Sequence, residues 1–110
     1  MATITEDYCS QDVYRLLREK GFDGEIHTTF DKEGYTQASI TLQIAIKWLR
    51  EVYKLFIETN VSIDLNGNYH FSYSILDKEC KYIRKGYTDF DWNCEEACEA
   101  AIKYCLENLI

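Results

Sequence analysis

An apolar stripe with helical spacing is the first pattern along the chain. Its members recur at i, i+4, i+7 and i+8, which places them on one face of a helix. They are Cys9, Val13, Leu16 and Leu17. Ser10 can cap this helix with its hydroxyl and Gly21 is expected to end it, so we predict a helix over 11–20. Phe22 lies beyond the glycine and can fold back onto the stripe.

The strongest helical period follows Thr41 and predicts a second helix over 41–54. Its apolar positions are expected to face a sheet at the centre of the core. These positions are Leu42, Ala45, Ile46, Leu49, Val52, Tyr53 and Phe56. Ile44 and Trp48 lie off this stripe, so either another helix covers them or they form a contact surface.

A third helix is predicted over 94–109, after Asn93, which can cap it. Glu95 and Glu96 stand in its first turn, where the helix dipole favours negative charge. Its predicted buried stripe consists of Ala97, Cys98, Ala101, Ile102, Cys105 and Leu109.

Between these helices the period of the apolar residues changes to two, which predicts strands. Residues 25–30 and 35–40 flank a turn and predict a hairpin. Residues 55–65 and 69–75 alternate between apolar and polar positions, and a further strand at about 81–87 is expected to return beside them.

The loop between the two longer strands can have two registers. The dipeptide at 66–67 favours a two-residue turn, but that register places Ile63 opposite His70. A three-residue loop over 66–68 keeps both apolar sets on one face, with Asn68 as the residue of positive φ. The pairs predicted by this register are Leu65 with Tyr69, Ile63 with Phe71 and Val61 with Tyr73.

These elements predict a single α+β domain over 1–110, in the order α-β-β-α-β-β-β-α. The sheet is expected to be mainly antiparallel, with the helices packed on one face. The architecture depends on the stripe of the middle helix lying against the odd-numbered side of the meander. Ile63 and Phe71 must then lie on the same surface.

Composition supports a globular protein. Of the 110 residues, 46% are hydrophobic and 15% aromatic, which is enough for one core. The chain contains no apolar run long enough to span a membrane, and its first residues lack the features of a signal peptide. We therefore expect a cytoplasmic protein with no membrane partner.

The charge disfavours nucleic acid as a partner. Twelve Lys and Arg stand against 19 Asp and Glu, for a net charge of −7, whereas nucleic-acid binding usually depends on cationic side chains. An acidic cluster near the last helix can be either a set of solvated capping charges or a surface for a cation or a basic partner. Its members are Asp89, Asp91, Glu95, Glu96 and Glu99.

The residue types that carry chemistry form no recognisable constellation. Five cysteines without an export signal indicate reduced thiols, and their spacing lacks the pairs typical of zinc sites. His27 and His70 are far apart in sequence. Asp64 opens a stretch that resembles a calcium loop only superficially and is interpreted as turn chemistry. We therefore predict no enzyme activity, no cofactor and no metal.

Large aromatic side chains are the best indication of a binding surface, since aromatic residues dominate interface energetics. The candidate partner-binding residues are Ile44, Trp48, Phe90 and Trp92.

Three stretches of the chain, at 8–22, 47–53 and 95–110, together resemble a family of small uncharacterised proteins from gut anaerobic bacteria and their mobile elements. The resemblance implies a bacterial cytosolic origin and transfers no activity or site residue. The C-terminal β-β-β-α order with its alanine-rich helix is similar to double-stranded-RNA-binding domains. Those domains carry lysines where this chain has glutamates at 95, 96 and 99, so RNA binding is not expected.

The leading functional hypothesis is a non-enzymatic protein–protein interaction module, which can be homodimeric. An acidic inhibitor or nucleic-acid mimic from a mobile element is one alternative. A small-ligand binder or enzyme is another, and it requires a deep pocket holding His70 or Cys80 beside a carboxylate.

Overall fold

The computed structural model describes residues 7–89 and 92–110, and this part of the chain confirms the predicted α+β class and element order. The helices are α1 (Gln11–Glu19), α2 (Leu42–Tyr53) and α3 (Cys94–Asn108). The strands are β1 (His27–Phe30), β2 (Thr36–Ser39), β3 (Phe56–Ile63), β4 (Tyr69–Leu76) and β5 (Tyr82–Thr88). They form two antiparallel sheets, a β1–β2 hairpin and a β3–β4–β5 meander.

Side-chain caps begin each helix. The hydroxyl oxygens of Ser10 and Thr41 accept hydrogen bonds from backbone N–H groups in the first turns of α1 and α2. At the start of α3, Asn93 and Glu96 cap each other's backbone in a capping box. The caps by Ser10 and Asn93 confirm the prediction, and the cap by Thr41 fixes the start of α2.

The third helix lies at the centre of the fold. It contacts α1, α2, β3 and β4, and its buried face fills the space between them. The buried residues of α3 are Ala97, Ala101, Ile102, Cys105 and Leu106. Cys98 and Leu109, both predicted in this stripe, are only partly buried, and Leu106 takes a core position instead. The small residues in this stripe allow the helix to approach its neighbours closely.

The second helix is rotated relative to its predicted orientation. Leu42, Ala45 and Leu49 are buried as expected, but Trp48 is buried with them and Val52 is 55% exposed. The prediction that Val52 faces the sheet is wrong. Trp48 is the larger side chain, so its burial removes more apolar surface from water than burial of Val52 would.

The helices pack against the meander. Both β3 and β4 contact α3, while α2 reaches the sheet mainly at β3. Tyr73 and Ile75, on the odd-numbered face of β4, are fully buried. The predicted placement of Ile63 and Phe71 on one surface is confirmed, because odd-numbered residues pair with odd-numbered residues throughout the hairpin.

The predicted loop register is wrong by one step. The loop residues are 65–67, and the residue with positive φ is Gly67 (φ 82°), not Asn68. The pairs are Ile63 with Tyr69, Val61 with Phe71 and Thr59 with Tyr73. Both registers keep the apolar residues on one face, so the alternation cannot choose between them. The turn chemistry decides, because Asp64 accepts hydrogen bonds from the backbone of Asn66 and Asn68.

The same turn recurs in all three hairpins. Each turn opens with an aspartate whose carboxylate accepts the backbone N–H groups two and four residues later. The aspartates are Asp31, Asp64 and Asp77. The third residue after each aspartate is left-handed: Gly34 (φ 87°), Gly67 (φ 82°) and Cys80 (φ 62°). Aspartate favours this role because its short carboxylate reaches its own following backbone.

A bulge distorts β5 opposite Ser74. Gly86 is left-handed (φ 64°), and its N–H donates to Oγ of Ser74 at 2.9 Å. The pairing changes between Tyr73 with Tyr87 and Ile75 with Arg84. The bulge therefore brings Arg84 and Tyr87 to the face that α3 covers.

We expect Gly67→Ala to lower the free energy of unfolding by about 1 kcal/mol, since the left-handed backbone disfavours any residue with a Cβ. No atom lies within 4 Å of the added Cβ, so backbone strain is the cause. Urea denaturation measures the change. Asn68→Ala is the control and should change stability by less than about 0.5 kcal/mol. Equal losses from the two variants would contradict the observed register.

Cys80→Gly should have the opposite effect. Cys80 holds a left-handed conformation that glycine adopts freely, so the substitution should raise the free energy of unfolding by about 0.5 kcal/mol. Thermal melting or urea denaturation measures this. Cys80→Ser removes the thiol but keeps the strain and should leave stability unchanged. A stabilisation by serine equal to that by glycine would assign the effect to the thiol.

Candidate interaction surface

The β3–β4 hairpin projects beyond the rest of the fold. Pairing with β5 ends at Ser72, which lies between Thr88 of β5 and Asn60 of β3, so residues 61–71 form a two-stranded ribbon, here called the hairpin arm. The burial along β4 follows this division, since 73–76 are buried while Tyr69 is exposed. The radius of gyration is 14.8 Å, larger than the roughly 13 Å of a compact domain of this length.

The odd-numbered face of the arm is apolar and open to solvent. Val61 and Ile63 are each 61% exposed and Tyr69 is 67% exposed, with Phe71 partly buried beside them. Leu65 is fully exposed in the loop at the tip. We call these five residues the apolar strip. The exposed area of the strip is on the order of 500 Å², near the upper end for the largest patch on a monomer.

The opposite face of the arm carries its charged groups. Nε2 of His70 lies 2.8 Å from Oδ2 of Asp64. This hydrogen bond, together with those from the backbone of Asn68 and Asn66, holds the pKa of Asp64 below its ordinary value of 3.8. Between residues 59 and 72 the sequence has no other acidic, basic or histidine side chain. The apolar strip therefore contains no charged side chain.

Of the predicted contact residues, Trp48 lies mostly in the core. It is 8% exposed and packs edge-to-face on Phe22 and Tyr53, with ring centroids 5.6 and 5.1 Å apart. Ile44 is partly buried. Both residues line a groove of about 350 Å³ that also includes Val52. A role for Ile44 and Trp48 in binding stays a prediction, limited to the edges that reach this groove.

Trp92 is partly buried against the sheet, and Phe90 lies outside the described residues. The Trp92 ring stacks on Tyr73 with a centroid distance of 5.9 Å and contacts Tyr87 at 5.6 Å. Much of the Trp92 side chain therefore packs on the core where the arm begins.

Arg84 joins this aromatic group, which the sequence analysis did not identify. Its Nε donates to the hydroxyl of Tyr73 at 2.8 Å, and its guanidinium lies 3.9 Å from the ring centre of Tyr87 and 4.3 Å from that of Tyr104. Burial raises the pKa of Tyr73, so the phenol stays protonated. The Nε–H of Arg84 and one face of each of the Tyr87 and Tyr104 rings are therefore used within the fold, which indicates a structural role.

The predicted acidic cluster is partly used within the fold. Glu96 completes the capping box, and Oε1 of Glu99 accepts the backbone N–H of Ser10 at 2.7 Å. Asp91 lies outside the described residues. Within residues 7–89 and 92–110, no three metal-ligating side chains are close enough to hold an ion.

The five cysteines are free. Cys9 and Cys105 are buried, and burial raises the pKa of each thiol to about 12. Burial also raises the pKa of Cys98 to about 12, with Cys94 contributing. These three thiols are therefore protonated at neutral pH and are poor nucleophiles.

No model of a known protein family matches the chain, and neither curated proteins nor solved structures gave a match. The resemblance to proteins of gut anaerobes therefore stays a prediction. None of the described helices is long and apolar enough to cross a membrane.

The alternation of apolar residues predicted that the residues of the apolar strip belong to the core, so the strip could not be recognised from it. The alternation of β3 and β4 correctly places them on the odd-numbered face, which is buried near Tyr73 and open near Tyr69. The available signal was strand length, since the 11-residue strand predicted over 55–65 would extend roughly 37 Å, and the predicted helices had to cover it completely. The candidate surface thus consists of Val61, Ile63, Leu65, Tyr69 and Phe71.

We expect Asp64→Asn to destabilise the protein at neutral pH. Asparagine can still accept the turn hydrogen bonds but loses the charge that pairs with His70. Because the folded-state pKa of Asp64 is lowered, its stabilisation is present above pH 3.8 and is lost as the pH falls through the lowered value. Urea denaturation of both proteins across this range measures the difference.

Asp31→Asn is the matched control, because Asp31 accepts the same turn hydrogen bonds in the β1–β2 hairpin. The Asp64→Asn difference should shrink with falling pH and exceed that of the control at neutral pH. A difference independent of pH would show that the contact between the Asp64 carboxylate and His70 does not stabilise the hairpin.

Proposed function

We propose that this chain is a non-enzymatic protein–protein interaction module that binds its partner through the hairpin arm. The observation that carries this proposal is the apolar strip, where Val61, Ile63 and Tyr69 are exposed on one face of a projecting ribbon. Removing such a surface from water lowers the free energy. A partner that covers the strip would therefore be bound favourably.

The form of the arm also supports a binding role. A two-stranded ribbon without a second layer is only marginally stable in water. The described helices cover the base of the meander and leave the arm open. A partner on the apolar strip would provide the missing layer.

The alternatives have weaker support. An acidic inhibitor needs carboxylates available on its surface, but Glu96 and Glu99 make hydrogen bonds within the fold. The enzyme alternative required His70 or Cys80 in a deep pocket beside a carboxylate. His70 does pair with Asp64, but this pair lies at the exposed end of the hairpin, and Cys80 is exposed in a turn.

A cytoplasmic location accords with five free cysteines.

Affinity capture tests the proposal. Immobilised wild type and Val61→Thr/Ile63→Thr are exposed to a lysate of the source organism, and bound proteins are identified by mass spectrometry. Threonine keeps the β-branched shape and removes apolar surface, so the arm should stay folded, as circular dichroism can verify. We expect proteins held by wild type to be at least tenfold depleted on the arm variant.

Phe30→Thr/Tyr35→Thr is the control, because it removes two similarly exposed aromatic side chains from the other hairpin. It should retain the same proteins as wild type. Retention of the same proteins by the arm variant would contradict the proposed function, and so would a wild type that retains neither another protein nor the copy of this chain present in the lysate.

A further inference from the structure

We propose that the partner of the apolar strip is a second copy of this chain, with two hairpin arms packed face to face about a two-fold axis. This inference rests on the proposed function and specifies the partner for the same surface.

The charge distribution favours a second copy over a partner of opposite charge. From Leu55 to Asp77 the sequence contains no Lys or Arg, and the carboxylate of Asp64 is paired with His70 on the opposite face. A basic partner would find no unpaired charge on the strip. An identical strip offers apolar groups to apolar groups, which is the self-complementarity that a two-fold interface requires.

The area is sufficient for a specific, weak dimer. Covering two strips would bury on the order of 1,000 Å² in total, which is the lower bound for a specific interface. The chains also carry a net charge of −7 each, so their mutual repulsion opposes association. The dimer should therefore dissociate on dilution and strengthen as added salt screens the repulsion.

The usual spacing of packed layers is compatible with this arrangement. Stacked sheets lie about 10 Å apart, a spacing similar to the thickness of one helix layer. Two arms that run in opposite directions, face to face, would each extend the helix layer of the other copy. The tip residue Leu65 of one copy would then lie near the base of the other arm, where Trp92 stacks on Tyr73. Each arm thereby receives the second layer that its own helices do not provide.

Sedimentation equilibrium over a range of protein and salt concentrations tests self-association. We expect wild type and Phe30→Thr/Tyr35→Thr to form dimers at high micromolar concentration, more tightly at higher salt. Val61→Thr/Ile63→Thr should weaken dimerisation at least tenfold while keeping the wild-type circular dichroism spectrum. A monomeric wild type, a dimer unaffected by the arm substitutions, or a dimer that weakens with salt would overturn the inference.

The face-to-face arrangement has its own test. In a mixed dimer of isotope-labelled and unlabelled wild type, filtered nuclear Overhauser spectra should connect the methyl groups of Val61 or Ile63 to the Tyr69 ring of the other copy. Contacts between Hα atoms of two β3 strands would instead indicate edge-to-edge pairing and overturn this geometry. The lysate capture decides the proposed function separately: a monomeric chain that still captures other proteins through the arm would end only the second-copy inference.

Discussion

The length of the β3–β4 hairpin relative to its helical cover is the constraint on which the rest of the structure depends. Each strand has eight residues and extends roughly 27 Å. The core beneath the helices includes Tyr73 and Ile75 of β4, whereas Tyr69 lies in solvent. An apolar sheet face needs a second layer along its whole length. Because the chain supplies that layer for only part of the hairpin, one continuous face is core at its base and surface at its tip.

The boundary between these two regions is closed by aromatic side chains. Tyr73 is buried there, with Trp92 stacked on it and Arg84 donating to its hydroxyl. The guanidinium lies against the rings of Tyr87 and Tyr104, which gives a buried phenol a partner and a cation two ring faces. This group explains much of the aromatic content near the C-terminus as packing.

The hairpin turns follow a local rule that is independent of this packing. Asp31, Asp64 and Asp77 each accept two backbone hydrogen bonds, and each is followed three residues later by a left-handed residue. The turn therefore sets the register of the arm from its tip, while the helices anchor its base. The pairing of Asp64 with His70 places the charged groups on the face opposite the apolar strip, which keeps the strip apolar.

The sequence by itself determined the elements and their order, because caps, helical periods and strand alternation are local properties. Ser10 and Asn93 cap their helices as predicted, the second helix begins beside Thr41, and Ile63 shares a face with Phe71. Local patterns could not show whether Trp48 or Val52 is buried in the core. They also could not choose between loops over 65–67 and 66–68, because both keep the apolar residues on one face. The contact of Arg84 with its aromatic partners depends on a bulge that the sequence pattern did not predict. Above all, alternation shows which face of a strand is apolar but not how far along the strand another element covers it. Only the tertiary structure decided that Val61, Ile63 and Tyr69 lie beyond the helices, because coverage depends on where separate elements meet in space.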